Sequence, residues 1–350
     1  MSNSQSADIG LGRAFLRRAA ISPNQPALTF EGNTQTFAEL GDRIRRMASV
    51  LRAGGISAGD RVGYIGLNHP VFLEMLYACG CIGAIFVPLN FRLTGPEIRF
   101  IANDAGISTM VVDDMLRPLI DTERANLECT RFITAEADAD NWEPLAPLMA
   151  AAQPIAASEK VDGDDVAFIM YTSGTTGLPK GAMLTHGNLF WNSINVCFSE
   201  DGVTGTSLTC APLFHIGGLN VTTLMSLAKG IEVVLLRSFD AGQVLSLIEK
   251  HKVTGMFGAP TMFLMMLQHE NFASTDLSSI ATLTCGGAPV PVPLIKAFGE
   301  RGISFCQGYG LTETAPFASL LASDLAMAKV GSAGKAPMFT EVRVVDKENN

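Results

Sequence analysis

Short apolar segments alternate with amphipathic helical segments along this chain, and the alternation restricts it to the α/β class of folds. Behind the capping pair Thr36 and Glu39, apolar residues recur at helical spacing as far as Leu51, and Gly54-Gly55 ends that helix. Predicted strands follow at 61–67, 85–89 and 107–112, with helices near 72–79 and 96–106 between them. Because parallel strands need crossover connections, this pattern predicts a mainly parallel sheet covered by helices.

A second block of the same kind begins at Val166. Its predicted strands lie near 166–171, 206–211, 231–236, 253–258, 280–285 and 303–306. The predicted helices between them cover 186–198, 217–229, 240–251, 260–269 and 290–301. We therefore expect two α/β subdomains with mainly parallel sheets flanked by helices, at 1–160 and 161–340, with the Ala- and Pro-rich stretch 143–158 as a linker or a surface excursion.

The last ten residues predict something different. Glu341–Val345 is expected to be a strand, and the polar residues after it are typical of a hairpin turn. A natural domain seldom ends inside a hairpin. We therefore interpret 341–350 as the start of a further β subdomain, and expect the chain to be a piece of a longer protein.

Composition excludes several classes of function. The net charge is −9, and no basic cluster is larger than the RIRR run at 43–46, which disfavours nucleic-acid binding through phosphate neutralisation. No uncharged apolar run reaches 18 residues and no secretory signal is recognisable, so we expect a cytoplasmic protein without a transmembrane segment. The seven scattered cysteines are expected to be reduced, buried thiols. A homodimer is left open.

The segment Tyr171–Gly181, YTSGTTGLPKG, predicts a phosphate-binding loop. An apolar strand runs into it, and its glycines, Gly174 and Gly177 among them, allow backbone N–H groups to approach a polyanion. Four hydroxyls add neutral donors, and Lys180 adds a positive charge suited to phosphate. Those hydroxyls belong to Thr172, Ser173, Thr175 and Thr176. The Walker pattern needs Ser or Thr after the lysine, but Gly181 stands there, so a magnesium ligand must come from elsewhere.

With MLTHGN (183–188) behind it, the loop resembles the signature of the adenylate-forming superfamily. Upstream, GDRV (59–62), GAIFVPLN (83–90) and RLTGPEI (92–98) resemble its acyl-CoA ligase branch. The resemblance extends over essentially the whole chain. It implies the N-terminal domain of such an enzyme without the small C-terminal domain, and it implies ATP, Mg²⁺, CoA and a carboxylic acid as the small molecules bound.

Three further motifs match the family. PLFHIGG (212–218) implies that His215 lies near the substrate carboxylate. A carboxylic acid is already ionised at pH 7, so His215 is expected to position and shield the substrate rather than to act as a base. In CGGAP (285–289), the resemblance implies that Gly286, Gly287, Ala288 and Pro289 border the adenine.

The third motif, QGYGLTET (307–314), follows a predicted strand to the same sheet edge, where ligands of open α/β sheets collect. Tyr309, between Gly308 and Gly310, is expected to present its ring to adenine. Thr312 is expected to donate to the α-phosphate, and Glu313 is the candidate magnesium ligand. Met256–Pro260 (MFGAP) is implied to line the acid pocket.

The predicted reaction is ATP-dependent activation of a carboxylic acid to acyl-AMP, followed by acyl-CoA formation in the full-length enzyme. Met256, Phe257, Met262 and Phe263 favour a fatty acid, with an aryl or hydroxycinnamate acid as the alternative. The family's ribose-binding Asp motif, hinge and C-terminal lysine are not found in these residues, so the chain is expected to be poorly active. A nucleotide- or acid-binding module with little catalysis is the alternative from another class. The poor glycine fingerprint GLGRAF (10–15) makes a dinucleotide oxidoreductase remote.

Overall fold

The computed structural model describes residues 8–174, 177–199 and 202–348. It is an α/β structure with two mainly parallel sheets flanked by helices, as the sequence predicts. The strands are β1 (Pro26–Phe30), β2 (Asn33–Thr36), β3 (Arg61–Ile65), β4 (Ile85–Leu89), β5 (Ile107–Val112), β6 (Arg131–Thr134), β7 (Glu143–Pro144), β8 (Val166–Thr172), β9 (Lys180–Thr185), β10 (Ser207–Thr209), β11 (Val233–Leu235), β12 (Gly255–Gly258), β13 (Thr282–Gly286), β14 (Phe305–Gly310) and β15 (Phe317–Leu321).

The helices pack on both sides of these sheets. They are α1 (Leu11–Ile21), α2 (Phe37–Ala53), α3 (Pro70–Ile82), α4 (Gly95–Asp104), α5 (Arg117–Glu123), α6 (Leu145–Ala151), α7 (His186–Cys197), α8 (Ile216–Gly218), α9 (Leu224–Lys229), α10 (Ala241–His251), α11 (Pro260–Gln268) and α12 (Val292–Gly299). A π-helical turn, Leu219–Thr223, joins α8 to α9 and interrupts the single helix that was predicted over 217–229.

The two sheets are interleaved along the chain. One sheet has the order β7-β6-β5-β3-β4-β8-β9, in which only β9 is antiparallel to its neighbour. The other has the order β15-β14-β13-β12-β10-β11-β1-β2, with antiparallel strands at both ends. The N-terminal hairpin thus joins the second sheet, whereas β8 and β9 join the first. The subdomain limits of 1–160 and 161–340 stay a prediction. Each sheet contains strands from both sides of residue 160.

The core lies between the sheets and is built around α3. This helix starts with Pro70 at its first position and ends at Gly83, which adopts the left-handed conformation (φ 71°). Nearly all of its residues are buried, including Glu74, which binds the guanidinium of Arg43 on α2. The capping box predicted for α2 is confirmed: the Thr36 N–H donates to Glu39 Oε2 at 2.8 Å. A continuous apolar layer therefore fixes the two sheets relative to each other.

Several sequence-based expectations are wrong. Residues 341–345 form no strand, and Val344 is 98% exposed, since no described segment pairs with it. The expected linker 143–158 contains β7 and α6. Cys197 is exposed, while the other six cysteines are buried as predicted. Among the described residues, no helix is long and apolar enough to cross a membrane.

Candidate active site

The phosphate-loop sequence connects two antiparallel strands. β8 ends at Thr172 and β9 begins at Lys180, and these two residues are paired, so the base of the loop is closed. Inside the loop, the Gly177 N–H donates to the Gly174 carbonyl at 3.3 Å. A Cβ on Gly174 would lie 2.1 Å from the carbonyl oxygen of Leu178, so this close approach requires glycine. Thr175 and Thr176, whose hydroxyls were predicted to donate to phosphate, lie outside the described residues.

The ammonium group of Lys180, at the end of the loop, is accessible to an anion. Lys180 is exposed, and within the described ranges its ammonium forms no ion pair. The strand before the loop is anchored instead: the Tyr171 hydroxyl donates to Asp104 Oδ2 at 2.5 Å, at the end of α4. Burial and the bonded carboxylate raise the pKa of Tyr171, so it keeps its proton. Behind the loop, MLTHGN starts α7 through a capping box between Thr185 and Asn188.

A cavity of about 570 Å³ lies beside the loop and is lined by residues of three predicted site segments. Thr172, Ser173, Gly174 and Gly177 line it on the loop side. His215 and Thr312 line it from the second sheet. The opposite wall was not predicted as part of a site, and it comes from the end of β4 and from α4. It includes Pro88, Leu89, Asn90, Leu93, Pro96 and Phe100. Except for Phe100, these residues belong to GAIFVPLN (83–90) and RLTGPEI (92–98), which the sequence indicated only as family resemblances.

His215 stands between β10 and α8. Its Nδ1 accepts the Gly217 N–H at 3.3 Å, which orients the ring across the start of the helix. Beside it, Phe214 packs edge-on against Phe91, with ring centroids 5.4 Å apart. Desolvation by the surrounding protein lowers the pKa of His215. The imidazole is therefore neutral at pH 7, as a positioning role requires.

The CGGAP and QGYG motifs lie side by side. β13 and β14 are parallel with Gly286 paired to Gly308, and a Cβ on Gly286 would lie 2.9 Å from the Gly308 carbonyl oxygen. Strand β14 continues to Gly310, beyond the predicted end at 306, so Tyr309 projects from a strand rather than from a loop. Its ring is 54% exposed. Gly287, Ala288 and Pro289 are also exposed, which leaves this surface open to a flat ring.

The turn after β14 carries the remaining predicted residues. It packs against β9, and this contact brings Glu313 to the strand that begins with Lys180. The Leu311 N–H donates to Thr314 Oγ1 at 2.8 Å, which fixes the turn. Thr312 is buried at the cavity, whereas Glu313 is exposed and has no ion-pair partner within the described part of the chain.

Metal binding at this turn would rely on one side chain. Among the described residues, no group of three or more His, Cys, Asp or Glu side chains is arranged to hold a metal ion. The Glu313 carboxylate offers hard oxygen atoms in an exposed position. It fits Mg²⁺, which commonly takes one or two protein carboxylates and completes its shell with phosphate oxygens and water.

The segment MFGAP divides between the core and the site. Met256 is fully buried in the core of the second sheet, as is Phe263, so neither lines the cavity that was expected for the acid. Side chains alternate along a strand, and Phe257 therefore points to the other face. Its ring lies against Gly217 and Gly286, where a Cβ would come within 2.7 Å and 3.3 Å of it. Phe257 thus contacts two of the predicted site segments with its side chain, and Gly258 pairs with Cys285 at the start of CGGAP.

Comparison with known proteins identifies relatives over nearly the whole chain. A sequence model of the AMP-binding enzymes matches residues 15–350. The chain is 45% identical to a feruloyl-CoA synthase from Amycolatopsis sp over 336 residues, which cover 96% of the chain and 66% of that protein. It is 36% identical over 343 residues to the long-chain-fatty-acid–CoA ligase FadD13 of Mycobacterium tuberculosis, covering 95% of the chain and 66% of that protein.

A solved structure has the same fold. The N-terminal domain of FACL13 from Mycobacterium tuberculosis, solved with an inhibitor bound, superposes with a TM-score of 0.91 at 32% identity. The match covers 97% of this chain and 85% of that domain. The chain spans about two thirds of the length of the curated relatives that it matches.

Proposed function

This chain belongs to the family of AMP-binding enzymes, and from that premise we propose that it binds ATP and a carboxylic acid together and joins them as an acyl adenylate. One observation carries the proposal. A single cavity is lined by the phosphate-loop residues Thr172–Gly174, by His215 and by Thr312, which come from distant parts of the chain. Candidate phosphate-binding groups and a candidate carboxylate-positioning group therefore face the same space.

The reaction joins two anions. A carboxylate oxygen attacks the α-phosphorus of ATP, and the bond from that phosphorus to the pyrophosphate oxygen breaks. Catalysis then depends on positioning and on neutralising charge. Lys180 and the loop N–H groups would hold the β- and γ-phosphates, and the Thr312 hydroxyl would donate to the α-phosphate. Glu313 would hold Mg²⁺, which supplies further positive charge against the phosphates.

His215 has a separate task in this scheme. Because its pKa is lowered by burial, the neutral ring brings no charge to the carboxylate. It would close the cavity at the reacting carboxylate and exclude water together with Phe214. The adenine would lie between the Gly286–Pro289 surface and the exposed ring of Tyr309, since aromatic rings pack well on one another and on small residues.

For the acid, we propose an aromatic acid of the hydroxycinnamate class. The relative with 45% identity, named as a feruloyl-CoA synthase, supports this choice. A fatty acid, which the sequence favoured, stays the second candidate because the FadD13 relative is named for long-chain fatty acids. Two of the apolar residues that favoured it, Met256 and Phe263, belong to the core. Transfer to CoA is proposed for the whole protein, and a cytoplasmic location and a homodimer stay predictions.

The test is acid-dependent exchange of labelled pyrophosphate into ATP, with ferulate and a series of C8–C16 fatty acids compared at equal concentration. We expect slow exchange that ferulate stimulates most, and little or no thioester when CoA is added to this chain. The matched variant Thr312→Val keeps the shape and removes the hydroxyl, so it should reduce exchange. No exchange with any acid, together with no ATP binding by the folded chain, would contradict the proposal.

A further inference from the structure

Asn68 connects the two sheets directly behind the candidate site. It lies between β3 and α3 and is 4% exposed. Its Nδ2 donates to the carbonyl oxygens of Ala211 and Leu236, both at 3.0 Å. Its Oδ1 accepts the Leu213 N–H at 2.8 Å. From the segment that follows β3 of the first sheet, one short side chain thus satisfies three backbone groups in the segments that follow β10 and β11 of the second sheet.

The backbone that Asn68 holds leads into the site. Ala211 and Leu213 belong to the segment between β10 and α8, and His215 follows two residues later, with its N–H donating to the Pro212 carbonyl at 3.2 Å. Leu213 therefore lies inside the turn that presents Phe214 and His215 to the cavity. Few other side chains could replace Asn68 here, because it is buried and only an amide offers two donors and an acceptor on so short a side chain.

Neighbouring side chains add further contacts between the two sheets near Asn68. Arg237 follows β11 and binds Glu31 at 2.8 Å and Glu136 at 2.7 Å, so it also bridges the two sheets. His69, next to Asn68, lies with Nε2 3.1 Å from the same Glu136 carboxylate. The Asn68 N–H itself donates to the Arg237 carbonyl at 3.1 Å. The loop that carries Asn68 is thus held on both sides, and its side chain has a fixed origin.

We propose that Asn68 is a positioning residue of the candidate site: by fixing the backbone at 211–213, it sets where Phe214 and His215 lie relative to the phosphate loop. Asn68 lines a different cavity from the loop, and its side chain bonds to Ala211, Leu236 and Leu213, none of which is a predicted ATP-binding residue. Its effect should therefore fall on the acid side of the site and not on the nucleotide side. The inference rests on the proposed function only where it assigns the effect of Asn68 to the acid side of the site.

The first measurement needs no ligand. Hydrogen exchange of the unmodified chain should show the Leu213 amide as protected as those of the central strands β12 and β13, since its partner is buried. In Asn68→Ala, exchange at Leu213 should rise at least about tenfold, while β13 and β14 stay unchanged. Rapid exchange at Leu213 in the unmodified chain would overturn the proposal.

The second measurement separates the two halves of the ligand. Affinities are compared for 5′-O-sulfamoyladenosine and for its feruloyl derivative, an analogue of the acyl adenylate. In Asn68→Ala, the gain in affinity that the feruloyl group provides should fall roughly tenfold, while the affinity for sulfamoyladenosine stays unchanged. Asn68→Asp keeps the acceptor for Leu213, and burial favours its neutral form, which retains one donor. We expect it to lose less, about threefold.

Arg301→Met is the matched control. Arg301 also holds two backbone carbonyls, those of Phe272 and Thr275, at 2.6 and 2.8 Å, in a region away from the cavity. This variant should lose stability without changing the feruloyl gain. Equal losses in Arg301→Met and Asn68→Ala, or equal weakening of both ligands by Asn68→Ala, would overturn the positioning role. If the unmodified chain bound neither analogue, the proposed function would fail, and the exchange measurement would still decide on Asn68.

Discussion

Replacing Lys180 by alanine tests the phosphate loop most simply. The side chain is exposed at the first residue of β9, and within the described ranges it forms no ion pair that the substitution would break. Surface substitutions of this kind usually change the free energy of unfolding by less than about 0.5 kcal/mol. Any loss of nucleotide affinity in Lys180→Ala can therefore be assigned to the removed charge and not to unfolding.

The size of that loss follows from the exposure of the site. Two unit charges 4 Å apart attract by about 1 kcal/mol in bulk water and about 4 kcal/mol at the effective dielectric constant of a protein surface. The loop is exposed to solvent on one side and lines the cavity on the other. We therefore take an intermediate attraction energy of about 2 kcal/mol. Since 1.4 kcal/mol corresponds to a factor of ten, Mg-ATP affinity should fall about 30-fold.

Isothermal titration of Mg-ATP and of AMP into the same preparations is the assay. Lys180 is assigned to the β- and γ-phosphates, so AMP affinity should change by less than about threefold. Lys296→Ala removes the same charge from an exposed position on α12 and should leave both affinities unchanged. Unchanged Mg-ATP affinity in Lys180→Ala, or equal losses for ATP and AMP, would refute the assigned role.

Three further outcomes follow from the site and its surroundings. Glu313→Gln keeps the shape but removes the charge, so the Mg²⁺ dependence of ATP binding should weaken about tenfold by titration, and an unchanged dependence would place the metal elsewhere. Gly217→Ala puts a Cβ 2.7 Å from two ring atoms of Phe257, which should cost about 1–3 kcal/mol in urea unfolding and weaken binding of the feruloyl analogue; full stability would mean that the ring moves freely. Burial lowers the pKa of three histidines, His69, His186 and His215. In the unfolded chain these side chains bind protons near the ordinary histidine pKa of about 6.5, whereas in the folded chain they remain neutral to lower pH. The free energy of unfolding should therefore fall as pH drops from 7.5 to 5.5, and a flat profile would contradict this.

The sequence was most informative where local chemistry decides the structure. The capping box at Thr36 and Glu39 could be predicted because its partners are three residues apart and need nothing else. The loop between β8 and β9 could be predicted for the same reason, since its glycines and Lys180 lie within one short turn, while its binding of phosphate stays a prediction. The alternation of strands and helices likewise indicated two parallel sheets, and both are present.

Features that depend on distant partners could not be predicted. Residues 341–345 have the composition of a strand, but a strand exists only where another lies beside it, and no described segment does. The hairpin of β1 and β2 joins the far sheet, which no local pattern indicates. Met256 and Phe257 are equally apolar neighbours, yet one fills the core and the other contacts the site segments. The cavity wall from α4 was missed because its residues also suit an ordinary helix.

The most direct test of the account is a crystal structure of the chain with 5′-O-(N-feruloylsulfamoyl)adenosine. We expect the sulfamate to lie between Thr312 and the phosphate loop, with the adenine against Gly286–Pro289 and the ring of Tyr309. The feruloyl group should pass His215 inside the cavity walled by α4. A ligand bound at another surface, or one whose acyl group points away from His215, would contradict the assignment of this cavity as the site where acid and nucleotide meet.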